Sequence, residues 1–85
     1  MISAAEAAKH AVEHVTVMTG RSAESVVGIE RAGDGWRVTV EVVETHRIPD
    51  SADILAAYDT EVDADGELVS YRRARRYPRG RVERD

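Results

Sequence analysis

Apolar side chains near the N-terminus recur at helical spacing. Ala4, Ala8, Ala11, Val12, Val15 and Met18 fall on one stripe, with Glu6, Lys9, His10 and Glu13 largely elsewhere. Ser3 followed by Glu6 is a capping-box pattern, in which each side chain satisfies a backbone N–H that the first turn leaves free, so a helix is predicted to start near Ala4. Gly20 offers the stop. The small alanines would let this helix lie close against a sheet.

From Ser25 the period changes to two. Val27 and Ile29 alternate with Gly28 and Glu30, and Trp36, Val38, Val40 and Val42 alternate with Arg37, Thr39 and Glu41. Between these strands Ala32-Gly33-Asp34-Gly35 supplies the positive φ angles of a tight reversal and sets Arg31 opposite Trp36 and Ile29 opposite Val38. Thr45 to Asp53 loses the alternation, and Pro49 cannot donate to a ladder, so this stretch reads as a connection in which Asp50 or Ser51 caps a short helical turn through Ile54 and Leu55. Tyr58, Thr60 and Val62 then restart the two-residue period. A turn at Ala64-Asp65-Gly66 sets Val62 opposite Leu68 and Glu61 opposite Val69, which places Tyr71 and Arg73 on the outer face beside Asp59 and Glu61.

The predicted architecture is α+β: an N-terminal helix packed on one face of a four-stranded antiparallel sheet made of two hairpins, the other face polar. Residues 1–77 form the single domain and residues 78–85 a basic flexible tail, since the apolar period lapses from Arg76 onward. In layout this is similar to the PepSY-type domain, a likeness that implies binding or inhibition.

Composition sharpens the picture. The chain has 85 residues, 42% hydrophobic and 33% charged, with no Phe and a single Trp, which predicts one thin core of Val, Ile, Leu and Ala. The absence of cysteine removes disulfides and thiolate chemistry. Charged residues interrupt the N-terminal apolar pattern, which argues against a signal peptide or membrane span and predicts a soluble, cytoplasmic protein. The net charge of −4 conceals an asymmetry: residues 1–69 hold fourteen acidic and five basic side chains, whereas residues 70–85 hold seven arginines against Glu83 and Asp85. Such polarity suits charged partner surfaces or a second copy of the chain.

No constellation points to catalysis, so no enzyme and no cofactor are expected. His10 and His14 lie four apart on the helix, but without further ligands at metal-binding spacing they read as surface histidines, Glu6 offering His10 an ion pair. The acidic series Asp59, Glu61, Asp63, Asp65 and Glu67 lacks the twelve-position spacing of a calcium loop and reads as strand face and turn. The serines stand in no nucleophile-elbow context, and the glycines form no phosphate loop. The run Tyr71-Arg72-Arg73-Ala74-Arg75-Arg76-Tyr77-Pro78-Arg79-Gly80-Arg81 mixes arginine with two tyrosines, as RNA-binding and protein-binding surfaces both do. The acidic remainder of the chain disfavours a nucleic acid backbone, while an acidic protein suits the arginines.

The segments Gly35-Trp36-Arg37-Val38-Thr39-Val40-Glu41-Val42-Val43-Glu44, Arg47-Ile48-Pro49-Asp50, Asp53-Ile54-Leu55-Ala56-Ala57-Tyr58, Asp63-Ala64-Asp65-Gly66-Glu67-Leu68 and Tyr71-Arg72-Arg73 through Arg76-Tyr77 resemble the core pattern of the gas vesicle protein O family. The likeness covers the last fifty to sixty residues, roughly, and its most specific pieces are the Trp strand with Arg-Ile-Pro-Asp following and the Arg-Arg-Tyr near the end. The resemblance implies an accessory protein that supports assembly of the gas vesicle through contacts with other accessory proteins or the shell protein, in the cytoplasm or at the vesicle. The family supplies no catalytic residues. Loops and aromatic–arginine clusters favour interfaces, which makes Arg47, Ile48, Pro49, Asp50, Tyr71, Arg73, Arg76 and Tyr77 the candidate partner-binding residues. An exposed sheet edge adds a route to a homodimer. The alternatives are a nucleic-acid binder using the arginine-rich strand and tail, and a PepSY-like inhibitory module.

Overall fold

In the computed structural model, which describes residues 1–45, 48 and 53–78, helix α1 (Ala4–Thr19) begins where the capping pattern predicts. The Ser3 N–H donates to the Glu6 carboxylate at 2.9 Å and the Glu6 N–H to Ser3 Oγ at 3.1 Å. The same backbone hydrogen bond, from the Ser3 N–H, holds the exposed Glu6 carboxyl below its ordinary pKa. The helix ends at Gly20, whose N–H donates to the Thr16 carbonyl at 2.8 Å.

Four strands follow: β1 (Ala23–Ala32), β2 (Gly35–Thr45), β3 (Ile54–Val62) and β4 (Leu68–Pro78), all antiparallel and adjacent in chain order. In the first hairpin Arg31 faces Trp36 and Ile29 faces Val38, as the turn chemistry predicts. Of the two glycines in this first turn, only Gly33 takes a positive φ, 59°. Gly35 serves a different need, because a Cβ there would lie 1.9 Å from the Val62 carbonyl oxygen on β3.

The core joins Ala7, Ala11 and Val15 of α1 to Val38, Val40, Val42, Ala56 and Val62 of the sheet. The buried helix line differs from the predicted stripe: Ala7, left out of it, is fully buried, whereas Ala4, Ala8 and Val12 are half-buried. Met18, three residues past Val15, is rotated off it and is half-exposed. Trp36 closes the other end of the core, its indole N–H donating to the Ile2 carbonyl at 3.2 Å. At the centre Thr60 is fully buried between Val38 and Tyr71 in the ladder, and its hydroxyl finds no hydrogen-bond partner among the described residues.

Bulges overturn several predicted side-chain directions. In β1 the register slips between Val26 and Gly28, so Val26 rather than Val27 joins Ile29 on the helix side, and Val27 is half-exposed. In β4 the slip falls at Val69. Val62 meets Leu68 as expected, but Glu61 meets Ser70 instead of Val69. One inserted residue reverses the faces of everything beyond it. Tyr71 and Arg73 consequently lie on the helix side opposite Thr60 and Tyr58, while Arg72 takes the outer face opposite Asp59.

Two boundaries also move. Ile54 and Leu55 begin β3 rather than ending a helical turn, since strand pairing on both sides satisfies their backbone groups; Asp50 and Ser51 lie outside the described residues. Strand β4 continues through Arg76 and Tyr77 to Pro78, because the ladder with β3 sustains it where apolar alternation lapses; residues 79–85 lie outside the described residues. Nor is the outer sheet face uniformly polar: Val43, Leu55 and Ala57 are buried there, in runs that lack alternation and present apolar groups to both sides.

Candidate functional site

Helix α1 lies over β1, β2 and β3 and touches β4 least, so among the described residues the helix-side surface of β4 is largely uncovered. Two successive devices shape that surface. The bulge at Val69 turns Tyr71 and Arg73 toward it, and a second at Ala74 brings Arg76 to the same side, opposite Ala56. Ala56 is small and fully buried, so long arginine side chains can pass over β3 to reach β2.

Their target is Glu44, the extra residue in a register slip near the end of β2. Arg73 Nη1 donates to one carboxylate oxygen at 2.7 Å, and Arg76 Nε contacts the other at 2.5 Å. The Glu44 side chain is only 9% exposed, whereas the arginines remain more than half exposed. Burial pushes the Glu44 carboxyl up, but the hydrogen bonds and charges of Arg73 and Arg76 outweigh it and hold the group below the ordinary glutamate range. The Glu44 backbone carbonyl also accepts a hydrogen bond from the Arg21 guanidinium, just after the helix. Glu44 thus ties together the α1–β1 connection, β2 and β4.

Beside this clamp Tyr58 and Tyr71 meet diagonally across β3 and β4, with ring centroids 6.0 Å apart and planes tilted by 33°. Among the expected contact residues the structure therefore brings together Tyr71, Arg73 and Arg76. Tyr77 falls on the opposite face, opposite Leu55, with the Arg75 guanidinium 5.7 Å from its ring centroid. Ile48 is wholly exposed, and Arg47, Pro49 and Asp50 lie outside the described residues. Glu44 and Tyr58 are the members that sequence reasoning missed. Glu44 stood in an apparent strand alternation, and only the bulge beside it reveals its direction.

The outer face is organised by paired charges. Arg37 reaches Glu30 on β1 and Glu61 on β3, both at 3.3 Å, Thr39 donates to Asp59 at 3.0 Å and Ser70 to Glu61 at 3.3 Å. Arg37, Asp59, Glu61, Ser70, Tyr71 and Arg72 line an open, shallow groove of about 410 Å³. Asp63 is occupied by the turn, its carboxylate accepting from the Asp65 and Glu67 N–H groups at 2.9 Å. On the helix, His14 Nε2 sits 2.9 Å from the Gly66 carbonyl, and His10 lies nearest Glu13 at 4.0 Å rather than Glu6, whose carboxylate is engaged in the cap. Among the described residues no three His, Asp or Glu side chains converge as a metal site. Among the same residues no helix is long and apolar enough to cross a membrane.

Comparison with known proteins converges on one family. The profile of the family described as gas vesicle synthesis protein GvpO matches residues 1–83. Gas vesicle protein O of Streptomyces sp. (strain CB03234) is 55% identical over 67 residues, which cover 79% of this chain and 52% of that protein. Gas vesicle protein O of Haloferax mediterranei is 40% identical over 80 residues, 93% of this chain and 52% of the relative. Gas vesicle protein O1 of Halobacterium salinarum is 36% identical over 77 residues, 91% and 59% respectively. The chain thus spans a little over half the length of the relatives it matches. No solved structure matches it.

Proposed function

The chain belongs to the gas vesicle synthesis protein GvpO family, and from that premise we propose that it supports assembly of the gas vesicle by non-catalytic contacts with other gas vesicle proteins, accessory or shell. The observation that carries this reading is the helix-side surface of β4, largely uncovered among the described residues. There Tyr58 and Tyr71 lie beside arginines already oriented by Glu44, and an aromatic–arginine surface held in place loses little conformational freedom when a partner docks. The shallow outer groove, lined by paired charges, fits a contact surface better than an enclosed reaction site. Ile48, fully exposed, and with it Arg47, Pro49 and Asp50, are proposed as further contact residues on the strength of the sequence pattern. The protein would then work in the cytoplasm, at or near the growing vesicle.

The test is a pull-down of the purified chain against each co-expressed gas vesicle protein, alongside Ile48→Asp and Tyr71→Ala variants. Retention of a vesicle protein, weakened by either substitution while thermal unfolding still shows a folded chain, is the expected result. If no vesicle protein is retained by the unsubstituted chain, the contact reading is wrong.

A further inference from the structure

Among the described residues, strand β4 is hydrogen-bonded on one side only, to β3, and the sheet order leaves its other edge without a neighbouring strand. It presents four arginines along eleven residues. Arg73 and Arg76 are engaged by Glu44 on the helix side. Arg72 and Arg75 lie on the outer face opposite Asp59 and Ala57, and neither forms an ion pair among the described residues. The bulge at Ala74 absorbs one residue, so these two guanidinium groups occupy consecutive outer-face positions, two residues apart in the numbering of the facing strand.

We propose that the free edge of β4 takes up an extended acidic segment of a partner protein as a fifth strand, with carboxylates at alternate positions meeting Arg72 and Arg75. This deepens the reading above, on which it rests, by naming the mode of contact and the partner's chemistry. Backbone hydrogen bonds supply the attachment and the arginines select the sign of the side chains. The same charges work against indiscriminate pairing, because two β4 edges brought together set arginine against arginine.

A polypeptide fits better than a nucleic acid. Strands stand about 4.8 Å apart, so carboxylates on a fifth strand lie one spacing from Arg72 and two from Asp59. A phosphate backbone laid across the outer face would meet Asp59 and Glu61 as directly as the arginines, and Arg73 and Arg76 already neutralise Glu44.

The full chain is titrated with a synthetic peptide of about ten residues alternating glutamate with threonine and valine, with its lysine-for-glutamate counterpart, and with a single-stranded RNA of matched length. Amide hydrogen exchange maps the contact. The acidic peptide should bind and slow exchange along Ser70–Tyr77. Arg72→Glu with Arg75→Glu should weaken it by roughly tenfold or more and confer binding of the lysine peptide. Arg72→Gln with Arg75→Gln gives the same first loss and serves if the charge reversal disturbs folding. No binding of the acidic peptide, protection confined to another strand, tighter binding of the RNA, or equal binding by the substituted chains overturns the proposal. In the vesicle pull-down, a partner held equally well by the doubly substituted chain refutes this strand and leaves the contact reading standing, whereas a wild-type chain that holds no vesicle protein refutes the contact reading itself.

Discussion

Strands β2 and β4 belong to one sheet but are held in it by different forces. Strand β2 lies beneath α1, with Val38, Val40 and Val42 fully buried against Ala7, Ala11 and Val15. That stabilisation is apolar, insensitive to pH and little affected by salt. Strand β4 is scarcely touched by the helix and keeps its arginines largely in solvent; beyond its ladder with β3, it is fastened by Arg73 and Arg76 to one carboxylate on β2. Where the helix stops covering the sheet, charge replaces apolar burial.

Removing apolar volume beneath the helix should have the largest effect. Val40→Ala leaves a cavity between helix and sheet and should cost about 2–3 kcal/mol in denaturant unfolding, by nearly the same amount at pH 7 and at pH 4. A loss well below 1 kcal/mol would mean that the alanine-rich helix settles into the space.

The clamp should respond more weakly and show the opposite pH behaviour. Glu44→Gln removes the charge that orients Arg73 and Arg76 and should cost about 1–2 kcal/mol at pH 7, after allowance for the solvent around the arginines. The folded state lowers the Glu44 pKa, so the stability it contributes is fully present above the ordinary glutamate value of about 4.3 and is lost as pH falls through the lower folded value. The gap between wild type and variant should therefore close on acidification and narrow in high salt. A gap constant from pH 7 to pH 3 would show that the clamp acts through packing alone.

The smallest change sharpens the comparison from inside the core. Thr60→Val replaces an unpartnered buried hydroxyl with a methyl group of similar shape and should raise stability by about 1 kcal/mol, read as a higher unfolding midpoint with an unchanged denaturant slope. A decrease would reveal that the hydroxyl is satisfied in solution.

Local chemistry along the chain made much of this legible. The Ser3–Glu6 cap, the Gly20 stop, the pairing of Ile29 with Val38 and the pairing of Val62 with Leu68 all depend on residues close in sequence, whose hydrogen-bonding and backbone preferences act over a few positions. The same periodicities determined that one helix covers a four-stranded antiparallel sheet, and the quoted segments from Gly35 to Tyr77 carried the family. Only the tertiary structure decided which way the proposed contact residues face. Bulges at Val69 and Ala74 turn Tyr71, Arg73 and Arg76 toward the helix side and leave Tyr77 on the other, and the slip beside Glu44 brings its carboxylate across β3 to the arginines. A bulge costs little in local pattern yet inverts every side chain after it, and its position is set by the pairing of whole strands.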